Sequence, residues 1–115
     1  MGYPIRITEM LAQLPGVTYA ARGSVADASL IGRLKVMIRR ACQVQIEGGG
    51  FSIVEALSNC PVGWGMTPQQ SLDHLKGPVV AEFPIGVIVD RGTPARSEGP
   101  RPAPDSPATA PDCEA

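Results

Sequence analysis

The chain has 115 residues, with 10 basic and 11 acidic side chains and a formal net charge of −1. This balance lacks the basic excess typical of nucleic-acid-binding proteins. The sequence also contains no run of about 18 apolar residues and no basic-then-apolar leader, the patterns of a membrane span or an exported protein. We therefore expect a cytoplasmic protein with neither a nucleic-acid nor a membrane partner.

The composition changes after residue 90. Residues 91–115 hold six of the twelve prolines and contain no Leu, Ile, Val, Phe or Met. A segment without large apolar side chains cannot bury a core, so we predict a disordered, proline-rich tail over 91–115. The ordered part is then residues 1–90, a length at which a single core is marginal unless another surface completes it.

The first ordered segment predicts a helix followed by a strand. Pro4 suits the first turn of a helix, and Pro15-Gly16 ends it. Four apolar residues at helical spacing predict one buried stripe: Ile7, Met10, Leu11 and Leu14. Residues 17–22 then predict a short strand, with a turn at Gly23-Ser24.

A long helix is predicted over residues 28–47, capped by Asp27 and ended by the glycines at 48–50. Its buried stripe is expected to contain Ile31, Leu34, Met37, Ile38, Ala41 and Cys42. On that stripe Cys42 is expected to act as a small buried hydrophobe rather than a reactive or metal-bound thiol. The basic pair Arg39-Arg40 suits a solvated helix face better than a phosphate site.

The apolar run Phe51–Leu57 predicts a second strand, which completes a strand–helix–strand unit with parallel strands. Glu55 interrupts this strand. Because an unpaired carboxylate is costly to bury, Glu55 must face solvent, a partner cation or a functional site.

After a loop, Thr67-Pro68-Gln69-Gln70 has the pattern of a capping box and begins a helix that should end at Gly77-Pro78. His74, the only histidine, has no second metal ligand one turn away and is predicted to be a surface residue. Residues 79–89 are apolar, but Pro84 restricts them to an edge strand or an extended packing segment. Two or three strands and three helices are typical of the end of an α/β domain rather than of a whole one.

The loop after the second strand contains Cys60, stiffened by Pro61 and shaped by Gly63 and Gly65. A rigid loop that presents one thiol suits a metal or cluster ligand, or a nucleophile. No CxxC motif or nearby histidine accompanies it, so from the residues alone a structural thiol is the favoured interpretation. Three cysteines at wide spacing, the third being Cys113, do not form a secreted disulfide framework.

The string FSIVEALSNCPVGWGMTPQQSLDHL, followed by FPIGVIVD, resembles the C-terminal part of the thiamine pyrophosphate-binding β subunit of 2-oxoacid:ferredoxin oxidoreductases. In that family a strand of the type FVEVLSPCPTNWG precedes a helix that opens with Ser-Pro or Thr-Pro. The segment GYPIRITEMLAQLPGVTYAARGSV is also similar, so the resemblance covers residues 2–90. Asn59 stands where proline is common, and Val62-Gly63 where Thr-Asn is common.

This resemblance implies the three-layer α/β fold of thiamine enzymes, of which residues 1–90 would be a C-terminal fragment containing a βαβ unit. It implies oxidative decarboxylation of a 2-oxoacid to its acyl-CoA, with electrons passed through an iron–sulfur cluster to ferredoxin. By resemblance Cys60 is one of the four ligands of a 4Fe-4S cluster. The implied partners are the rest of the β subunit, the α and γ subunits and ferredoxin, with a 2-oxoacid and CoA as substrates.

The family's CxxC pair, its further cluster cysteine and its GDG motif for Mg²⁺ and thiamine pyrophosphate have no counterpart in these 115 residues, and neither Cys42 nor Cys113 matches them. The resemblance therefore implies that the complete subunit binds thiamine pyrophosphate, Mg²⁺ and a 4Fe-4S cluster, whereas this chain alone binds none of them and is inactive. Two alternatives are a non-catalytic module that docks to another subunit and a decayed relic of the β subunit.

Overall fold

A computed structural model of the chain describes residues 2–92. The elements in this part are α1 (Ile7–Ala12), β1 (Val17–Ser24), α2 (Ala28–Ile46), β2 (Phe51–Leu57), α3 (Pro61–Trp64), α4 (Pro68–His74), a π-helical segment (Leu75–Val79), α5 (Val80–Glu82) and β3 (Gly86–Asp90). Among the described helices, none combines the length and apolar character needed to cross a membrane. The tail predicted from the composition lies, from residue 93 onwards, outside the described residues.

The three strands form one mixed sheet in the order β2-β1-β3. β1 runs parallel to β2, from Val17 opposite Phe51 to Ser24 opposite Leu57. β3 lies antiparallel to β1 on its other side, with Tyr19 opposite Asp90. The predicted α/β class and the parallel strand–helix–strand unit are confirmed, and β1 extends two residues further than predicted, through Gly23 and Ser24.

Helices cover both faces of the sheet. On one face Tyr19 and Ala21 of β1 pack with Met37 and Val44 of α2. On the other face Ala20 packs with Ala12 of α1. Successive strand residues point to opposite faces, so every residue of β1 is buried, and β1 is the centre of the structure.

The helical stripes are narrower than the sequence predicts. In α1, Thr8 and Ala12 face the sheet, whereas Ile7 and Met10 of the helix and Leu14 just beyond it are 52–62% exposed. In α2 the buried residues are Leu34, Met37 and Val44, with Ala41 packed beside them.

The prediction that Cys42 is buried is wrong, because Cys42 is exposed. Each helical residue advances roughly 100° around the axis, so Cys42 falls on a second apolar stripe with Ile31 and Ile38. These two isoleucines are 36% and 47% exposed. The sequence pattern merged two neighbouring stripes, of which the described fold buries one.

The helix predicted to begin at Thr67-Pro68 does not end at Gly77-Pro78. The backbone continues through the π-helical segment, with Pro78 inside it, and then through the single turn of α5. The strand predicted within residues 79–89 is confined to β3, which begins after Pro84 and lies at the edge of the sheet. Proline has no N–H to donate, which explains why the ladder begins beyond it.

Arg91 follows β3 and closes the end of α1. Its guanidinium donates to the carbonyl oxygens of Ala12 and Leu14, at 2.9 Å each, and to that of Val17. Its backbone N–H donates to the carbonyl oxygen of Thr18 at 2.9 Å. A residue that the composition assigns to the tail thus ties β3 to the end of α1 and to the start of β1.

Truncation experiments should locate the end of the folded part after Gly92. We expect removal of residues 93–115 to leave the melting temperature unchanged, whereas Arg91→Ala should cost about 1–2 kcal/mol, because three carbonyl acceptors lose a charged donor. For a domain of this size, each kcal/mol of lost stability lowers the melting temperature by about 4–8 °C. Thermal unfolding followed by circular dichroism makes the comparison, and equal melting temperatures for Arg91→Ala and the unmodified chain would contradict it.

Candidate functional site

Cys60 lies three residues beyond the end of β2, at the carboxyl edge of the two parallel strands. The edge is well defined, because the N–H of Val25, just after β1, donates to the carbonyl oxygen of Leu57, the last residue of β2, at 3.0 Å. Cys60 itself is exposed and not in a disulfide. Ligands of open α/β sheets bind at this kind of edge.

The loop that presents Cys60 is a single tight helical turn. The N–H of Trp64 donates to the carbonyl oxygen of Cys60 at 2.9 Å, and the N–H of Met66 donates to that of Pro61 at 2.9 Å. Gly65 ends the turn with φ of 63°, in the left-handed region that glycine adopts without steric cost. These bonds fix the backbone on the carboxyl side of the thiol.

Side chains anchor the same loop to α4. The amide Nδ2 of Asn59 donates to the hydroxyl of Ser71 at 2.8 Å, and that hydroxyl donates to the carbonyl oxygen of Pro68 at 2.7 Å. Ser71 is fully buried. The predicted capping box is confirmed, with the Gln70 N–H donating to Oγ1 of Thr67 and the Thr67 N–H donating to Oε1 of Gln70. Cys60 therefore sits between two positions fixed by α4.

His74 packs against Trp64 rather than standing free on the surface. The two rings meet edge to face, with centroids 5.1 Å apart. Their contact lines an open cleft beside the cysteine loop together with Gly65, Met66 and Pro78. Within the described part of the chain, no group of three or more His, Cys, Asp or Glu residues could hold a metal ion.

The surroundings of Cys60 suit a ligand that is contributed to a site rather than a complete site. A Cβ atom added at Gly63 would lie 2.8 Å from the Cys60 sulfur. The absence of a side chain at Gly63 therefore provides the space that the thiol occupies. A 4Fe-4S cluster held by four cysteines needs three further thiolates. Because the described residues offer no such group, the other ligands of any cluster would come from elsewhere.

A second polar feature, which the sequence analysis missed, is the fully buried Arg22 of β1. Its two terminal nitrogens donate to the two carboxylate oxygens of Glu9 in α1, at 2.6 and 2.5 Å. Its Nε donates to Glu55 of β2 at 2.7 Å, and the Thr8 hydroxyl donates to the same oxygen of Glu55. The Phe83 ring centroid lies 5.3 Å from the guanidinium carbon. One buried cation thus joins α1, β1 and β2.

This network resolves the alternatives left open for Glu55, which pairs with a cation. The hydrogen bond from Arg22 lowers the pKa of Glu9, and hydrogen bonding to Glu9 raises the pKa of Arg22 further above its usual range. Glu55 stands directly opposite Arg22 in the parallel ladder. The sequence did contain a signal for this ion pair, since Arg22 and Glu55 carry opposite charges at matching positions of two neighbouring predicted strands.

Stability should fall in acid because of Glu9. Its folded-state pKa is lowered, so its contribution is present above the unfolded value of about 4.3 and is lost as pH falls through the folded value. We expect Glu9→Gln to be less stable at neutral pH and to lose less stability between neutral pH and pH of about 3. Urea unfolding across that range measures it. The control is Glu82→Gln, which removes the carboxylate of an exposed ion pair with Arg6 at 3.4 Å. Equal acid dependence of stability in both variants would show that Glu9 has no special part in the loss of stability in acid.

The fold and the loop together define a small α/β unit that presents a cysteine at the carboxyl edge of parallel strands. The chain is 34% identical over 90 residues to the ketoisovalerate oxidoreductase subunit VorA of Methanothermobacter thermautotrophicus. It is 33% identical over 92 residues to the subunit of the same name from Methanothermobacter marburgensis. The sequence is thus similar to a subunit of an oxidoreductase, which agrees with the wider class that the sequence resemblance implies.

The similarity is extensive in this chain but covers little of the relatives. It takes in 78% and 80% of this chain, whereas the chain spans 19% of the length of each relative. A stretch of 90 residues within 115 starts no later than residue 26 and ends no earlier than residue 90, so it contains the Cys60 loop. No family model matches the sequence. No solved structure matches it either.

Proposed function

We propose that the chain is the C-terminal part of the thiamine pyrophosphate-binding β subunit of a 2-oxoacid:ferredoxin oxidoreductase, located in the cytoplasm. The observation that carries this proposal is the 34% identity to a ketoisovalerate oxidoreductase subunit over a stretch that includes the Cys60 loop. Ketoisovalerate is a branched-chain 2-oxoacid. The proposed reaction is therefore oxidative decarboxylation of a 2-oxoacid to its acyl-CoA, with electrons leaving to ferredoxin.

In this proposal the chain supplies one cluster ligand and part of the scaffold. The Cys60 thiolate would bind iron, held in place by the turn at residues 61–65 and by the Asn59–Ser71 hydrogen bond. A bound 4Fe-4S cluster supplies one-electron transfer to ferredoxin. Thiamine pyrophosphate, Mg²⁺ and the remaining cluster ligands would be held by the rest of the subunit, which has the α and γ subunits as partners.

Exposed apolar surface supports a larger assembly. Several large side chains of the described part are more than half exposed: Tyr3, Ile5, Ile7, Met10, Leu14, Val36, Ile46, Phe51, Val62 and Val87. β2 also lies at an edge of the sheet with one side unpaired by any described strand. An apolar edge strand and uncovered helical faces are typical of surfaces that pack against another polypeptide.

The isolated 115-residue chain should therefore associate with itself. We expect size-exclusion chromatography to show oligomers or a broad profile, because the β2 edge and the exposed face of α1 remain uncovered in solution. A sharp monomer peak would contradict the proposal that the chain is part of a larger unit. That result would favour an independent module.

Activity of the natural assembly tests the proposed reaction. The tagged polypeptide is purified anaerobically from its own cells with the subunits that it binds, and reduction of ferredoxin is followed with ketoisovalerate and CoA, with pyruvate as a second substrate. We expect reduction that requires both a 2-oxoacid and CoA. Absence of reduction with every 2-oxoacid would overturn the proposal, and stable partner subunits without activity would favour the docking module, which the exposed apolar surface also supports.

A further inference from the structure

A second concave site lies on the described surface, between the first two turns of α2 and the segment that leads into β3. Its cavity of about 450 Å³ is lined by Asp27, Leu30, Arg33, Lys76, Val80, Pro84 and Ile85. The volume falls within the range of small-molecule sites and exceeds what a single inorganic ion fills. The cavity is at the same carboxyl edge of β1, because Asp27 begins α2 just after β1 ends.

The charges of this cavity favour an anion. Arg33 and Lys76 approach it from different elements, and neither forms an ion pair or hydrogen bond with another described residue. Asp27 is already engaged as the cap of α2, where one of its oxygens accepts from the Ser29 N–H, the Ser29 hydroxyl and the Leu30 N–H at 2.7–3.0 Å. The cavity therefore holds two cations and one carboxylate, which Lys76 attracts electrostatically, and it keeps a net positive charge.

The backbone that supplies Lys76 is unusual. Lys76 lies in the π-helical segment Leu75–Val79, and such segments are rare and occur frequently at functional sites. The same stretch of chain continues into Val80, Pro84 and Ile85, which form an apolar wall opposite α2. Two cations and several apolar side chains in one lining suit a molecule with a charged group and an uncharged body.

We propose that this cavity binds a small organic phosphate, with Arg33 and Lys76 on the phosphate and the apolar wall against the body of the molecule. The planar fork of Arg33 suits the several oxygens of a phosphate, and Lys76 adds a second positive charge that offsets Asp27. The site is separate from the Cys60 loop and does not depend on the proposed reaction. An organic phosphate and free phosphate share the recognition chemistry, so the experiment distinguishes them.

Ligand-induced stabilisation and direct binding test this site in the 115-residue chain. The probes are adenosine 3′,5′-bisphosphate, inorganic phosphate and isovalerate, a carboxylate with an apolar body, all at constant ionic strength set with NaCl. At about five times its Kd the bisphosphate should raise the melting temperature by about 4–8 °C. Inorganic phosphate should stabilise more weakly, since it leaves the apolar wall empty, and isovalerate should have no effect.

Charge variants show whether the cavity is responsible. Arg33→Gln and Lys76→Gln should each weaken binding of the bisphosphate at least tenfold, whereas Lys35→Gln, which removes an exposed cation of α2 outside the cavity, should leave the Kd unchanged. Equilibrium dialysis gives the same comparison if a variant shows no clear melting transition. Absence of binding, equal weakening by Lys35→Gln or preferential binding of isovalerate would overturn the proposal.

Discussion

Replacing Arg22 by methionine should unfold the isolated domain or leave it on the edge of stability. Methionine keeps much of the apolar bulk of the side chain but removes the cation that joins Glu9 and Glu55. Removing one partner of a buried ion pair costs about 3–5 kcal/mol. The lower part of that range applies here, because the two carboxylates are about one-third exposed and regain water. A small domain has only about 5 kcal/mol to lose.

A second arginine provides the matched control. Arg40 also pairs through two nitrogens with one carboxylate, that of Asp90, at 3.0 and 2.9 Å, but both side chains are about one-third exposed. Arg40→Met should therefore cost much less stability than Arg22→Met. Urea unfolding compares the two variants. An equal cost would show that the burial of Arg22 has no special effect on stability.

Restoring charge balance separates the two causes of the loss. In the triple variant Arg22→Met, Glu9→Gln, Glu55→Gln, no uncompensated carboxylate remains at the former pair. We expect this variant to recover part of the stability lost by Arg22→Met, since neutral replacement of a whole buried ion pair is often tolerated. No recovery would indicate that the hydrogen bonds of Arg22, rather than its charge, hold the three elements together.

The order of elements could be predicted because it rests on local patterns. The apolar run Phe51–Leu57, the cap at Asp27 and the capping box at Thr67 each depend on residues close in sequence, and each is found in the structure. The cysteine loop followed from the same kind of pattern, a strand that ends in proline and glycine. The attachment of this loop to α4 could not be predicted in the same way, because the hydrogen bond from Asn59 to Ser71 spans twelve residues and depends on where α4 lies.

Burial was harder to predict because it depends on tertiary contacts. Cys42 and Ile38 lie on an apolar stripe that the described fold leaves exposed, and a periodic pattern does not reveal which of two adjacent stripes meets the sheet. Arg22 shows the opposite case, a charged residue at the centre of the core. Its burial requires Glu9 and Glu55 to converge from two other elements, which a reading of one strand at a time does not show.

The prediction with the largest functional effect concerns Cys60. In the complete subunit, Cys60→Ser should lower the iron content, reduce the broad visible absorbance of the cluster and abolish ferredoxin reduction, because serine lacks the soft thiolate that binds iron. Cys42→Ser is a close control, since Cys42 is also exposed and free of any disulfide. We expect it to retain its iron and its activity.

A graded variant tests whether the loop geometry matters as well as the thiol. Gly63→Ala would place a Cβ atom 2.8 Å from the Cys60 sulfur, so the thiol must shift while its chemistry stays the same. Iron content between that of Cys60→Ser and the unmodified subunit is expected, and Gly2→Ala, where nothing lies within 4 Å of an added Cβ, is the control. An intact cluster in Cys60→Ser would remove Cys60 from the ligand set. A loop anchored by Asn59 and closed by Gly65 would then be explained by its packing against α4 alone.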